Sequence, residues 1–249
     1  MFNLNKIGKA VCSIQDNVQY KNKKIFICND QLDDDVKQFN DMTLKIGKFQ
    51  LTIDKEVDRS TMFVCGSAGS GKSYFVADYL KEYHRVLPKN PIYLVCEGLE
   101  DPVFDCLDYV HRVELDDVVT NPLNWLDFKD CMVVFDDVDS LNGKLKRVIY
   151  ELRDKLLKNS RKYKVSVIST SHGATGLELK SVLNESQFIV FFMANYNRSL
   201  KYLLESYVGL DKKAIEKLRK MKSSRSTTYI KNYPSILLQD KYITTIDNF

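Results

Sequence analysis

The sequence predicts an α/β fold with a mostly parallel central sheet and a small β-rich extension at its N-terminal end. Three observations lead there. Thr61–Ala77, TMFVCGSAGSGKSYFVA, joins an apolar run to a glycine-rich turn and the start of an amphipathic helix. Cys131–Asp137, CMVVFDD, is a second apolar run that ends in paired carboxylates. Further short apolar runs at Ile92–Cys96, Val165–Thr170 and Gln187–Met193 alternate with helical patterns, as expected for strands buried on both faces of a sheet.

The first run carries the most specific chemistry. Gly66-Ser67-Ala68-Gly69-Ser70-Gly71-Lys72-Ser73 matches G-x-x-x-x-G-K-[ST], with a strand before it and a helix after it. Gly66, Gly69 and Gly71 let backbone N–H groups wrap around phosphate oxygens where a side chain would clash. The helix N-terminus adds positive potential. Lys72 can reach the β- and γ-phosphates, and the Ser73 hydroxyl can ligate magnesium. A glycine-rich turn matching by chance would lack the flanking strand and helix. The expected ligand is ATP with Mg2+, contacted by Gly66, Ser67, Ala68, Gly69, Ser70, Gly71, Lys72, Ser73 and Tyr74.

At 249 residues and 44% hydrophobic composition, the chain suits one sizeable domain with a small appendage. The expected division is residues 1–56 for the β-rich extension and 57–249 for the nucleotide domain. No apolar run approaches the roughly 18 residues of a membrane span, and the first residues lack an apolar stretch of signal-peptide length. The six cysteines are scattered without C-x-x-C spacing. Cys28, Cys65, Cys96 and Cys131 sit in strand-like runs, where a reduced thiol behaves as a small hydrophobe. These features point to an intracellular protein without disulfides or structural zinc. The net charge of +4 excludes little, and its distribution says more.

In the extension, Lys24–Cys28 (KIFIC) and Leu44–Ile53 (LKIGKFQLTI) read as strands, with Asp33-Asp34-Asp35 as a solvated turn between them. After the glycine-rich loop a helix runs from Lys72 to about His84 and stops before Pro88. Strands follow at Ile92–Cys96 and His111–Leu115, with a short helix near Val103–Tyr109 between them. Trp125, in TNPLNWL, reads as a packing anchor.

Cys131–Asp137 reads as a central parallel strand, and ligands sit at the C-terminal ends of such strands. Asp136 is placed to hold magnesium, directly or through water. Asp137 is the candidate general base or water-positioning group, where most enzymes of this kind have Glu. The Val165–Thr170 strand (VSVIST) leads to Ser171-His172. A polar group at the tip of a strand beside the acidic one can sense the γ-phosphate, so His172 is the candidate sensor and Ser171 the second. His84 and His111 read as structural.

Two stretches are basic. Leu141–Asn159 has apolar residues at Leu145, Val148, Ile149, Leu152, Leu156 and Leu157, a helical period. Its other face carries Lys144, Lys146, Arg147, Arg153, Lys155 and Lys158. It reads either as a solvated face or as a stripe for a phosphate backbone or a neighbouring subunit's nucleotide. Arg198–Lys231 is more basic still, through Arg198, Lys201, Lys212, Lys213, Lys217, Arg219, Lys220, Lys222, Arg225 and Lys231. Helices are expected over Asn197–Val208 and Asp211–Met221, then a closing hairpin of Thr227–Ile230 and Ser235–Leu238 around Pro234. This region could follow a nucleic-acid backbone. Its Tyr202, Tyr207 and Tyr229 read as core.

Five stretches in this order and spacing go further: GSAGSGKS (Gly66–Ser73), VVFDDVDSL (Val133–Leu141), KNSRKYKVSVISTSH (Lys158–His172), QFIVFFMANYNRSLKYLL (Gln187–Leu204) and YPSILLQDKYITT (Tyr233–Thr245). Together they resemble the FtsK/HerA superfamily, and within it the packaging ATPases of membrane-containing icosahedral DNA viruses, the poxvirus-like and virophage-like branch. The resemblance covers about Phe63 onward. It implies a three-layer RecA-like (ASCE) P-loop NTPase fold and a homo-oligomeric ring, hexameric or pentameric, that hydrolyses ATP to move double-stranded DNA. Lys72 and Ser73 then match the phosphate and magnesium residues, Asp136 the Walker B acid and Asp137 its catalytic neighbour. His172 stands where relatives commonly have Gln or His. Arg161, before the sensor strand, matches the position expected for a trans-acting arginine finger. Arg198 matches a second recurring arginine, and Arg153 is a third option. The resemblance also implies a place in the host cytoplasm, the virus factory or the virion, and a capsid or membrane-protein docking partner.

Other readings stay open from the residues alone. A nucleoside or small-molecule kinase would act as a monomer, insensitive to DNA. A nucleotide-gated scaffold would bind ATP without turnover. A conjugation or segregation motor would share the fold. A GTPase is disfavoured because no N-K-x-D motif is found.

Overall fold

Residues such as Val133, Val134 and Phe135 have no polar face to present to water, so their run forms a strand covered on both sides. The computed structural model describes residues 1–29, 36–54, 57, 59–98, 100–221 and 226–249. The Asp33–Asp35 turn and the bases Lys222 and Arg225 lie outside the described residues. In chain order the strands are β1 (Phe2–Asn3), β2 (Lys9–Gln15), β3 (Lys24–Ile27), β4 (Gln38–Phe39), β5 (Asp41–Thr43), β6 (Lys48–Leu51), β7 (Thr61–Cys65), β8 (Ile92–Val95), β9 (Val110–Arg112), β10 (Met132–Phe135), β11 (Ser166–Ser171), β12 (Phe188–Phe191), β13 (Thr227–Ile230), β14 (Ile236–Gln239) and β15 (Tyr242–Thr245). The helices are α1 (Lys72–Val86), α2 (Pro102–Asp105), α3 (Gly143–Asn159), α4 (Lys180–Glu185), α5 (Arg198–Leu203) and α6 (Lys212–Lys220).

The main sheet has ten strands in the order β5-β15-β14-β13-β12-β7-β11-β10-β8-β9. From β12 to β9 all neighbours are parallel. From β12 to β5 all are antiparallel. Strand β11 is inserted between the P-loop strand β7 and the acid-bearing strand β10. Register brings Ser171 beside Cys65, and Phe135 beside both Ser169 and Val95, so β7 and β11 end together two residues beyond the ends of β10 and β8, all at the same edge of the sheet.

The strand period of two divides the core. Phe63, Val133 and Phe135 face one side, packed with Ile149, Leu152 and Leu156 of α3 and with residues of α4, α5 and α6. Met62, Val64, Met132 and Val134 face the other, packed with Val76, Ala77 and Leu80 of α1. That second side is completed by an antiparallel sheet in the order β4-β1-β3-β2-β6, which contributes Phe2, Val11, Ile14 and Ile25. Trp125 packs edge-on against Tyr163 with ring centroids 5.8 Å apart, the anchoring role expected. Among the described residues no helix is long and apolar enough to cross a membrane.

The N-terminal segments depart from expectation in instructive ways. Leu44–Ile53 is not one strand. Gly47 has φ +85°, and a Cβ there would lie 2.4 Å from the Gln15 carbonyl oxygen, so the chain turns before β6 begins. The preceding β5 pairs instead with β15, on the edge of the main sheet. Strand β2, not anticipated, shifts register between Ala10 and Cys12, which breaks the alternation that would mark it. At the other end, the expected helix over Asn197–Val208 is α-helical only to Leu203 and continues as a π-helical turn over Leu204–Val208.

Candidate nucleotide site at the strand tips

The glycine-rich loop leaves β7 and enters α1 with Gly69 at φ +73° and Gly71 at φ +102°, where a side chain would be strained. At Gly66 the restriction is steric, because a Cβ would lie 2.5 Å from Ser70 Oγ and 2.9 Å from the Phe192 ring. Phe192, buried just beyond β12, thus forms the floor of the loop. Gly66 N–H donates to the Ser171 carbonyl, which ties the loop to the tip of β11. Ser70 Oγ is buried without a hydrogen-bond partner. A buried hydroxyl with nothing to bond is costly in a finished fold, so this cradle fits a polar ligand. Tyr74, in the first turn of α1, is 64% exposed, an open aromatic face beside the loop.

Lys72 is 5% exposed, and its ammonium lies 3.4 Å from Asp137 Oδ1 and 3.5 Å from His172 Nδ1. His172 Nε2 lies 3.3 Å from Asp137 Oδ2. One tautomer satisfies both imidazole contacts: Nε2–H donates to Asp137 and Nδ1 accepts from Lys72. Three residues far apart in sequence therefore form a closed triangle of polar contacts. Asp137 holds its place with φ +46°, a left-handed backbone that aspartate adopts more readily than most residues and that a side-chain contact constrains here.

The constraint comes from Thr170, near the end of β11. Its Oγ1 accepts from the Asp137 N–H at 2.8 Å and donates to Asp136 Oδ1 at 2.8 Å. One hydroxyl thus fixes the Asp136 carboxylate and the Asp137 backbone together. Asp136 is 8% exposed. Burial, partly offset by the Thr170 hydrogen bond and reinforced by the neighbouring Asp137 charge, pushes its carboxyl up to about 6. A buried carboxylate in want of positive charge, near hydroxyls and other hard oxygens, suits Mg2+. Asp136 and Ser73 are the residues that would hold it. A second grouping, Asp137, Asp139 and His172, brings its ligand atoms within 4.8 Å of one another. The Lys72 ammonium already supplies the positive charge at Asp137, which weighs against a metal there.

The arginines separate by location. Arg198 is exposed at the start of α5, on the same edge of the sheet as the P-loop. That helix start is tied to the loop after β11, since the Ala174 N–H donates to Ser199 Oγ at 2.8 Å. Arg161 precedes β11 and lies at the opposite edge, about 20 Å away at the ordinary strand rise. Arg153 is corrected from the exposed basic face: it is 1% exposed, donates to the Glu178 carbonyl at 2.7 Å and stacks over Tyr150. Such a guanidinium is committed within its own subunit. Part of the C-terminal basic stretch is likewise structural. Lys231 donates to the Leu183 carbonyl, and Lys217 to the Phe249 carbonyl. Tyr229 is buried, as expected of core, and Tyr207 is partly so, but Tyr202 is not core: it is 48% exposed and lies edge-on against Tyr207.

Sequence reasoning missed Thr170, Phe192 and Asp139. Thr170 had a signal: the only threonine of VSVIST lies two residues before the sensor, on a strand adjacent to the acidic one. Phe192 had none beyond hydrophobicity.

This arrangement is a glycine-rich loop of P-loop pattern at the tips of a largely parallel sheet. Solved structures share the fold. B204, the genome-packaging NTPase of Sulfolobus turreted icosahedral virus 2, in complex with AMP, matches with a TM-score of 0.51 at 15% identity, over 74% of this chain and 98% of that one. B204 of Sulfolobus turreted icosahedral virus, a DNA-packaging ATPase, matches with 0.51 at 17% identity, over 74% and 97%. The cytoplasmic domain of the Thermomonospora curvata type VII secretion ATPase EccC matches with 0.54 at 11% identity, over 82% of this chain and 28% of that one. At these identities the likeness is one of fold, and it bears out the α/β fold that the resemblance implied. In sequence the chain is 29% identical over 248 residues to Sputnik virophage protein V3, an uncharacterized protein, with 98% of each chain covered. No family model matches the chain.

Proposed function

We propose that this protein is a Mg2+-dependent ATPase that translocates double-stranded DNA, the motor subunit of a viral genome-packaging ring. The observation that carries the reading is the triangle of Lys72, Asp137 and His172 within 3.5 Å, set at the mouth of the P-loop. Each member has a task in hydrolysis. Lys72 leaves Asp137 to meet the β- and γ-phosphates, and that frees Asp137 to orient the attacking water. His172, which touches both, reports whether a γ-phosphate is present. Bound Mg2+ would neutralise phosphate charge from Ser73 and Asp136. The fold shared with B204 supports packaging as the use of that hydrolysis. DNA contact would be electrostatic and insensitive to sequence, through exposed bases such as Lys212, Lys213 and Lys220 of α6.

A ring needs an arginine from the next subunit to complete each site. Arg198 lies on the P-loop edge of its own subunit, whereas Arg161 lies on the far edge, where a neighbour's nucleotide could meet it. The test is ATP hydrolysis against protein concentration, with and without double-stranded DNA, for the natural protein and for Lys72→Ala, Arg161→Ala and Arg198→Ala. Turnover should rise with concentration and DNA, and Lys72→Ala should abolish it. Removal of the finger should cost roughly 10³-fold or more without loss of ATP binding. In mixtures, Lys72→Ala subunits should restore turnover to finger-variant subunits. Turnover flat in concentration and DNA, appearing only with a small phosphoryl acceptor, would favour a kinase. ATP binding without turnover under all conditions would favour a scaffold.

A further inference from the structure

Asp139 lies in the 3-10 turn Val138–Ser140 that directly follows the acidic pair. Its Oδ2 accepts two hydrogen bonds from the tip of β11, from Ser171 Oγ at 3.1 Å and from the His172 N–H at 3.2 Å. The turn is itself held. Ser140 Oγ donates to the Asp137 carbonyl, and Lys146 Nζ of α3 donates to the Asp139 carbonyl, each at 2.7 Å. Asp139 Oδ1 is buried and bonds to nothing. A carboxylate with one oxygen orphaned is a poor choice for stability alone. As a charged acceptor, however, it grips two donors more firmly than a hydroxyl or amide would.

The grip matters because the His172 side chain is 47% exposed and is steered by polar contacts to Lys72 and Asp137. Its direction is set by the backbone of Ser171 and His172. We infer that Asp139 is a positioning residue of this site: by holding Ser171 Oγ and the His172 N–H, it keeps the His172 imidazole between Asp137 and Lys72. The inference rests on reading the site as one that hydrolyses ATP. It also links α3, through Lys146, to the sensor.

The experiment joins turnover with a direct view of the imidazole. The chain has three histidines, so the His172 side-chain nitrogen resonances are assigned by comparison with His172→Ala. Asp139→Ala should shift the His172 resonances and leave those of His84 and His111 in place. It should lower kcat for ATP by roughly tenfold with KM within about twofold, as expected when a group near the chemistry is misplaced rather than lost. Asp139→Asn, whose carbonyl can accept both bonds, should stay within about threefold of the natural protein. In the His172→Ala background, Asp139→Ala should add nothing. The inference is overturned if Asp139→Ala costs the same factor in that background, or leaves the His172 resonances unmoved. Ser171→Ala, which removes one of the two donors, reads the same resonances should Asp139→Ala fail to fold. A natural protein that turned over no ATP would sink the enzymatic reading, and the resonances would still decide whether Asp139 holds His172.

Discussion

From β12 to β9 the strands run in one direction, and the loops after β7, β10 and β11 all leave at the same edge. From β12 to β5 the direction alternates, and the loops are shared between the two edges. Both halves are well buried, and both feed the same two layers of core. Only the parallel half can gather residues as distant in sequence as Lys72, Asp137, Thr170 and His172 into contact, because parallel order stacks strand C-termini side by side. The antiparallel half closes the fold. Burial therefore does not distinguish a site from a scaffold here, whereas strand direction does.

That contrast can be broken first at the core. Phe135→Ala, on the acid-bearing strand, should cost about 3–5 kcal/mol of stability and should also displace Asp136 and Thr170, so turnover per folded molecule falls. Leu238→Ala, on β14, should cost about 2–5 kcal/mol while leaving kcat per folded molecule within about twofold. Denaturant unfolding beside steady-state kinetics checks both. Equal losses of kcat would show that the antiparallel half shapes the site after all.

A finer test is pH. The folded protein raises the Asp136 carboxyl from an ordinary 3.8 to about 6, chiefly by burial. The folded state therefore holds that proton more tightly than the unfolded chain does. The stability it contributes is fully present below about pH 4 and is lost as pH rises through about 6. Asp136→Asn, neutral throughout, should escape the loss and become more stable than the natural protein above that pH, by up to about 3 kcal/mol. Magnesium-supported turnover of the natural protein should instead rise through the same window, because the metal requires the carboxylate. Thermal melts and initial rates across pH 4.5 to 8, without and with Mg2+, read the two opposite trends.

The smallest effect separates two kinds of glycine in one loop. A Cβ at Gly69 meets nothing within 4 Å, so Gly69→Ala should cost only the left-handed backbone strain, about 1–2 kcal/mol. Gly66→Ala drives into Ser70 and Phe192, and should deform the loop, weakening ATP binding more than it lowers the melting temperature.

The same contrast explains what could be read from the sequence. Parallel strands buried on both faces appear as continuous apolar runs, so β7, β8, β10, β11 and β12 were legible, as was the loop between β7 and α1. The edge strand β9 was read from His111–Leu115, but β5 and the bulged β2 were not legible. Strand β5 is three residues with an acid at its start, and β2 loses its alternation at a bulge. Within the site, Lys72, Asp136, Asp137 and His172 were legible because each is punctuation after an apolar run. Thr170 and Asp139 act through contacts between strands, and those depend on register, which a single sequence does not print.

Strand β5 cannot join the main sheet until β15 has been synthesised, and Phe49 of β6 likewise donates its N–H to the Asp240 carbonyl. During translation the N-terminal strands emerge long before these partners. Contacts of such sequence separation form slowly, and until they do β5 and β6 offer unpaired edges to other chains. The P-loop, its helix and the acidic strand lie between, so the candidate nucleotide site can assemble while the outer edge is still open. Completion of the main sheet then waits for β15, and a nascent chain stalled before it would be the form most exposed to aggregation.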